Sequence, residues 1–208
     1  MSKQISLIPL LKNLHLAQVL CIGDVILDHF YSGSVDRISP EAPIPVLKLE
    51  NKVTMLGGAG NVVRNLAGLG AQVNFTTVIG KDIEGEEIKR LIREECLRDL
   101  LLIDDSTRQT SVKSRYLADG QQILRTDHET IFALNNNMEK KLIATAIKAM
   151  KSCGAIIISD YAKGVLTDKV LSELIKAAKK KSKIVIVDPK GVDFGRYRGA
   201  DIITPNRR

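Results

Sequence analysis

Four short stretches of this chain combine glycines, carboxylates, amides and lysines where an apolar run gives way to a loop. The first is Gly57-Gly58-Ala59-Gly60-Asn61. Glycines there let backbone N–H groups approach a ligand closely, and the Asn61 amide can both donate to and accept from a hydroxyl. A helix packed tightly against a sheet also requires glycines, so the cluster admits either use. A dinucleotide loop matches poorly. Val63 stands where a third glycine would follow Gly58 and Gly60, and no acid closes the next strand to hold a ribose. The second stretch is Gly23-Asp24 with Asp28, at the carboxyl end of an apolar run. Carboxylates so placed accept hydrogen bonds from sugar hydroxyls or satisfy the backbone of a turn. The third is Ser159-Asp160-Tyr161-Ala162-Lys163-Gly164, and the fourth is Asp188-Pro189-Lys190-Gly191. Lysines beside carboxylates suit a phosphorylated small molecule or a nucleotide phosphate.

For these loops to form one cleft, the strands before them must lie side by side with their carboxyl ends on one edge. The hydrophobic pattern meets that requirement. Short β-branched runs at 17–22, 72–79, 100–103, 154–159, 183–187 and 201–203 read as strands. Helical spacing fills 61–69, closed by Gly70, then 83–97, 137–151, and a stretch from a Thr167 cap to about 180. The alternation implies an α/β fold, doubly wound, with a mainly parallel sheet. Two segments, about 30–50 and 110–127, break the rhythm with alternating or Pro-punctuated strands and no helix between them. They read as antiparallel additions that meet as a small β lid over the cleft. The second holds Asp119-Gly120 between runs at 111–118 and 121–126. That dipeptide favours a two-residue hairpin, because both central positions need positive φ.

Length and composition bound what such a fold can be. At 208 residues the chain reads as one domain, 1–208, and 44% hydrophobic with 4% aromatic residues points to an aliphatic core rather than disorder. The net charge of +7 suits nucleic acid, an anionic membrane or a phosphorylated ligand. Its densest run, Lys179-Lys180-Lys181 with Lys183, follows an amphipathic helix and has no interleaved aromatics for base stacking. It reads as a helix end, so no nucleic-acid partner is expected. Cys21, Cys96 and Cys153 match no zinc or redox spacing and are expected as reduced thiols. The apolar stretch near the start is broken by Pro9, Lys12, Asn13 and His15, which leaves neither a spanning length nor a cleavage site. A cytoplasmic location with no membrane partner is expected.

Several stretches together resemble a known family. These are Arg37-Ile38-Ser39-Pro40-Glu41-Ala42-Pro43-Ile44-Pro45-Val46, the glycine cluster ending in Asn61, Ser159 to Gly164, and Asp188 to Gly191 with Phe194 and Arg196-Tyr197-Arg198-Gly199-Ala200. They resemble the heptose 7-phosphate kinase branch of the ribokinase-like (PfkB-type) carbohydrate kinases, over about residues 17–206. The string from Ser39 to Val46 is the most specific part. The resemblance implies transfer of the ATP γ-phosphoryl group to O1 of D-glycero-β-D-manno-heptose 7-phosphate, feeding lipopolysaccharide core heptose. It also implies a β lid that takes part in homodimerisation. Residue by residue, it implies sugar binding by Asp28, Gly57, Gly58 and Asn61. Arg125 and Lys163 would hold the sugar phosphate, although Arg125 also reads as an ordinary exposed strand residue. Asp188 and Lys190 match positions near the phosphates of ATP and Mg2+, and Asn206 matches the first residue of an Asn-x-x-Glu motif.

Arg208 stands one residue before that motif's glutamate, and the family's Gly-Ala-Gly-Asp segment with the catalytic aspartate lies beyond it. The fold is therefore expected to be truncated on its C-terminal side, with no catalytic residue in these 208 positions and Ile184, Ile186, Ile202 and Ile203 exposed. Two expectations follow. One is a kinase whose missing part comes from a separate polypeptide or a continuation. The other is a non-catalytic remnant that binds sugar phosphate or dimerises through its lid.

Overall fold

A computed structural model of the chain describes residues 13–94 and 99–207. Pro9, Lys12, Cys96 and the end of the helix expected at 83–97 lie outside the described residues. The chain runs through β1 (Gln18–Gly23), β2 (Val25–Ile38), β3 (Pro45–Gly58), α1 (Ala59–Gly68), β4 (Gln72–Gly80), α2 (Ile83–Glu94) and β5 (Asp99–Asp105). It continues through β6 (Val112–Ala118), β7 (Gln121–His128), α3 (Asn136–Ala149), β8 (Ala155–Ser159), α4 (Asp168–Lys180), β9 (Ile184–Asp188) and β10 (Ile202–Ile203).

The main sheet has six strands in the order β10-β9-β8-β1-β4-β5, and every pairing in it is parallel. Parallel strands covered on both faces are apolar almost without interruption. Val19 to Gly23 of β1 and Val73 to Gly80 of β4 are buried at every position. On one face Leu20, Ile22, Ile156, Ile158, Val185 and Val187 pack with Leu142 and Ala146 of α3 and Leu171, Leu174 and Ile175 of α4. On the other, Cys21, Val73 and Phe75 pack with Ala59 and Val63 of α1 and Ile88 and Ile92 of α2. Burial pushes the Cys21 thiol up to about 12, and both Cys21 and Cys153 are buried. Among the described residues no helix is long and apolar enough to cross a membrane.

The helices start where local chemistry allows. Thr167 caps α4 by accepting from the Val170 N–H (3.2 Å), and the Asn135 side chain caps α3 by accepting from Asn137 and Met138 (3.0 Å each). For α1 no side-chain cap exists, and the work falls to Gly58, whose φ of 57° no β-branched residue would adopt readily.

The two irregular segments do meet in one four-stranded sheet, ordered β3-β2-β6-β7. Each segment is an antiparallel hairpin, but the central β2–β6 pairing that joins them is parallel. The lid is thus mixed where simple antiparallel additions were expected. The connectivity explains it. Strand β2 leaves the carboxyl end of β1, and β6 leaves the carboxyl end of the parallel strand β5, so both depart in one direction. At the turn of the second hairpin Asp119 and Gly120 both have positive φ, 49° and 81°.

At the far edge, Ile184 and Ile202 are about half exposed, whereas Ile186 and Ile203 are partly buried. The expected exposure therefore holds fully for two of the four isoleucines. Ile203 points to the face covered by α4 and packs against that core.

Candidate functional site

The strand order changes direction at β1: the chain first adds β4 and β5 on one side and later β8, β9 and β10 on the other. The crevice outside the carboxyl ends at such a switch is where open α/β sheets place ligands. Gly23, Ser159 and Asp188 are partners in register at the ends of β1, β8 and β9, so their loops emerge side by side.

Asp24 holds these loops together. Its carboxylate is almost fully buried and accepts from the backbone N–H groups of Tyr161 (2.9 Å) and Val165 (3.1 Å). Its backbone oxygen accepts from the Ala59 N–H (2.9 Å), which fixes the start of α1. Burial raises the carboxyl above its ordinary range, the Tyr161 amide opposes this, and the neighbouring Asp160 adds to it. Of the two uses open to Asp24, ordering the backbone is the one the geometry shows.

Asp28 is placed differently. It projects from β2, and its Oδ1 accepts from Arg115 Nη1 at 2.7 Å. Its Oδ2 occupies the space above Gly57, where an added Cβ would come within 2.0 Å of it. Any side chain at 57 would therefore displace the carboxylate from this position, while the backbone conformation there makes no demand for glycine. Gly58 follows as the helix cap, and Asn61 is the exposed third residue of α1.

The lid face that carries Asp28 is strongly charged. Strand register puts Asp28 beside Lys113, Lys113 opposite Asp127, and Arg115 opposite Arg125. Lys113 donates to Asp127 (2.6 Å), and Arg125, half exposed, donates to the same carboxylate (2.9 Å). The Lys113 hydrogen bond, with Arg125 assisting, holds the Asp127 carboxyl below its ordinary range. Lys163, on the loop after β8, donates to Glu129 just beyond β7 at 2.5 Å, and Glu129 Oε2 lies 4.0 Å from Lys113. A chain of ion pairs thus links Arg125 to Lys163 and ties the lid to the main-sheet loop.

The other cluster lies around the fourth loop. Asp160 is buried and fully engaged: it accepts from Ala162 N–H (2.8 Å), from the Tyr197 hydroxyl (2.8 Å) and from Arg196 Nη1 (3.3 Å). Burial, reinforced by the bond to Asp160, pushes the Tyr197 hydroxyl up to about 12. Asp188 is partly buried, and burial raises its carboxyl, with Lys190 acting in the opposite sense. Lys190 and Asn206 line one open depression of about 410 Å³ together with Pro189, Gly191, Val192, Phe194 and Pro205. Tyr161 connects the clusters electrostatically. Burial first, then Asp188 and Asp28, raise its hydroxyl.

The structure thus brings Asp28 onto Gly57, joins Arg125 to Lys163 through intervening pairs, and sets Lys190 with Asn206. Sequence reasoning passed over Lys113, Arg115 and Glu129. A signal was present for two of them, since cations at i and i+2 of a strand share a face.

Comparisons with known proteins follow the same lines. The description "pfkB family carbohydrate kinase" matches residues 16–208. A protein from Paramagnetospirillum magneticum named "Bifunctional protein HldE" is 44% identical over 208 residues, covering 100% of this chain and 43% of its own length. The tetrameric inhibited form of phosphofructokinase-2 from Escherichia coli superposes with a TM-score of 0.70 at 22% identity, covering 91% of this chain and 60% of that one. Arabidopsis thaliana ribokinase, solved with ribose and ATP, gives a TM-score of 0.63 at 17% identity, covering 91% and 60%. The chain spans less than half the length of the curated relatives it matches.

Proposed function

The chain belongs to the pfkB family of carbohydrate kinases, and from that premise we propose that it forms the sugar-binding part of an ATP-dependent heptose kinase site. The substrate would be D-glycero-β-D-manno-heptose 7-phosphate, phosphorylated at O1 in the cytoplasm. The observation that carries this reading is the Asp28 carboxylate wedged over Gly57 at the root of a lid face rich in cations. Asp28 Oδ2 accepts from a sugar hydroxyl, with Gly57, Gly58 and Asn61 forming the adjoining wall. Arg125 and Lys163, with Lys113 between them, meet the sugar phosphate, for which cations held by ion pairs are natural partners.

On the nucleotide side, Lys190, Asn206 and Asp188 would hold the phosphates of ATP and the associated Mg2+. The residues present fit that role in kind. A lysine and an amide line an open depression, and a partly buried carboxylate ends the neighbouring strand. Among the described residues no group of three or more His, Cys, Asp or Glu is clustered for a metal. Mg2+ bound through one or two carboxylates plus substrate phosphates needs no such cluster. The bound nucleotide would supply the transferred phosphoryl group.

Phosphoryl transfer also needs a group to take the proton from the attacking hydroxyl. Asp24 and Asp160 are both committed to hydrogen bonds within the protein. Neither is free for that task, and this reading gives Asp28 to the sugar and Asp188 to the nucleotide phosphates, so it takes the base from further polypeptide. Assembly is part of the same proposal. Strand β7 is exposed along its whole length on the lid's edge, with Ile123 and Leu124 about half exposed, which suits pairing with a second copy.

The test is selectivity. Calorimetric titration with heptose 7-phosphate, the same heptose without phosphate, and fructose 6-phosphate should show preference for the first. A coupled assay for ADP release with ATP and Mg2+ should show no turnover by the 208 residues alone. Equal affinity for all three sugars would refute the substrate reading, and turnover would refute the division of labour.

A further inference from the structure

We propose that Arg115 is a positioning residue for the Asp28 carboxylate, holding Oδ1 so that Oδ2 alone is presented to a sugar hydroxyl; this rests on the sugar-binding role given to Asp28 above. The two residues are 87 positions apart and come together only because β2 and β6 pair in parallel. Their side chains are 16% and 23% exposed, so the pair is sheltered without being sealed off. Such a pair is less screened by solvent than one on an open surface.

Three features fix the guanidinium. It donates to Asp28 at 2.7 Å. Its carbon lies 4.9 Å from the centre of the Phe30 ring, two residues along β2 on the same face. Directly across the lid, Arg125 faces it in register from β7, and like charges opposite one another repel. Attraction from β2 and repulsion from β7 therefore act in the same direction, towards Asp28.

The consequence for Asp28 is geometric. A carboxylate held at neither oxygen turns freely about its last bond. Here Arg115 takes Oδ1, and the Gly57 backbone leaves just enough room for Oδ2. Among the described residues Oδ2 has no hydrogen-bond donor. The acceptor is thus aimed at the entrance of α1 before any ligand arrives, which lowers the ordering cost of binding. A lysine at 115 would supply charge but not a planar fork.

The experiment is a double-mutant cycle read by calorimetry with two probes, heptose 7-phosphate and the same heptose without phosphate. Arg115→Gln should weaken both probes by the same factor, about tenfold, and should add nothing further on an Asp28→Asn background. Arg115→Lys, which keeps the charge and secures the test if the glutamine variant fails to fold, should lie between wild type and Arg115→Gln. Loss confined to the phosphorylated probe would make Arg115 a phosphate contact and overturn the inference. So would losses that simply add to those of Asp28→Asn, or a lowered melting temperature with undiminished binding. If Asp28→Asn weakens binding and neither Arg115 variant does, this inference alone fails. If the wild-type chain binds neither probe, the sugar-site reading fails and carries this inference with it.

Discussion

Replacing Asp24 by alanine should free the loop from 160 to 165 from the sheet. The carboxylate satisfies two backbone N–H groups, at Tyr161 and Val165, in a place that water barely reaches. Leaving one buried donor without a partner costs about 1–3 kcal/mol. Two such donors would give roughly 2–6 kcal/mol, but removing the carboxylate also relieves the cost of burying an ionisable group, the same burial that disfavours its charged form. The net loss should therefore fall in the lower part, about 2–4 kcal/mol. For a chain of this size that is a drop of roughly 4–16 °C in melting temperature. Asp24→Asn keeps one acceptor and turns an amide N–H towards the other donor, so it should lose stability too, by about half as much. Thermal unfolding by circular dichroism measures the totals. Hydrogen exchange resolves the cause, because the Tyr161 and Val165 amides should lose protection ahead of the strand amides. If both stay protected in Asp24→Ala, or if Asp24→Asn is as stable as wild type, the reasoning is wrong.

Gly57→Ala would bring a Cβ within 2.0 Å of Asp28 Oδ2, whereas Gly58→Ala would meet the Asp24 backbone oxygen at 2.4 Å and adopt a φ of 57°. The first should weaken sugar binding with little change in melting temperature, and the second should destabilise the fold by about 1–3 kcal/mol; titration and thermal melts on the same samples separate them. The Asp127 carboxyl lies below its ordinary range because Lys113 and Arg125 hold it ionised. Its contribution is full above the ordinary carboxylate value and is lost as pH falls through the lowered one. Hydrogen exchange along β7 should therefore rise below about pH 4 before the main sheet opens, and simultaneous loss of both sheets would contradict this. Ile184 and Ile202 expose apolar surface at the side of the sheet where β10 is the last strand among the described residues. Substituting both with lysine should reduce concentration-dependent association in sedimentation velocity, and an unaltered distribution would show that this edge is not sticky.

The parts of the fold that could be read from the sequence are those governed by local patterning. The parallel strands announce themselves as short β-branched runs, and Asp119-Gly120 announces its hairpin because few other dipeptides tolerate two positive φ values. The apolar pattern points to a start of α1 at 61, but the helix begins at Ala59, since its cap is a glycine conformation and no Ser, Thr or Asp marks it. The first lid segment, read at about 30–50, extends further in both directions, from Val25 of β2 to Gly58 of β3. Val25, Leu27 and Leu56 are buried against the helices before the same strands run out into the lid. The parallel β2–β6 pairing could not be read, because it depends on which edge β5 ends upon. With it went the Arg115–Asp28 pair, which no spacing within the chain suggests. Asp24 and Asp28 looked alike as acids beyond a strand. Burial separates them, one turned inward to backbone amides and the other outward over Gly57.

Calorimetric titration of the wild-type chain and of Asp28→Ala with heptose 7-phosphate tests the sugar site most directly. Asp28 presents one oxygen to the ligand, so its removal should cost about 1–3 kcal/mol of affinity, and loss of its sheltered pair with Arg115 should lower the melting temperature without unfolding the chain. Equal affinity in the two proteins, or no binding by the wild type at concentrations where the phosphorylated sugar should saturate, would contradict the assignment.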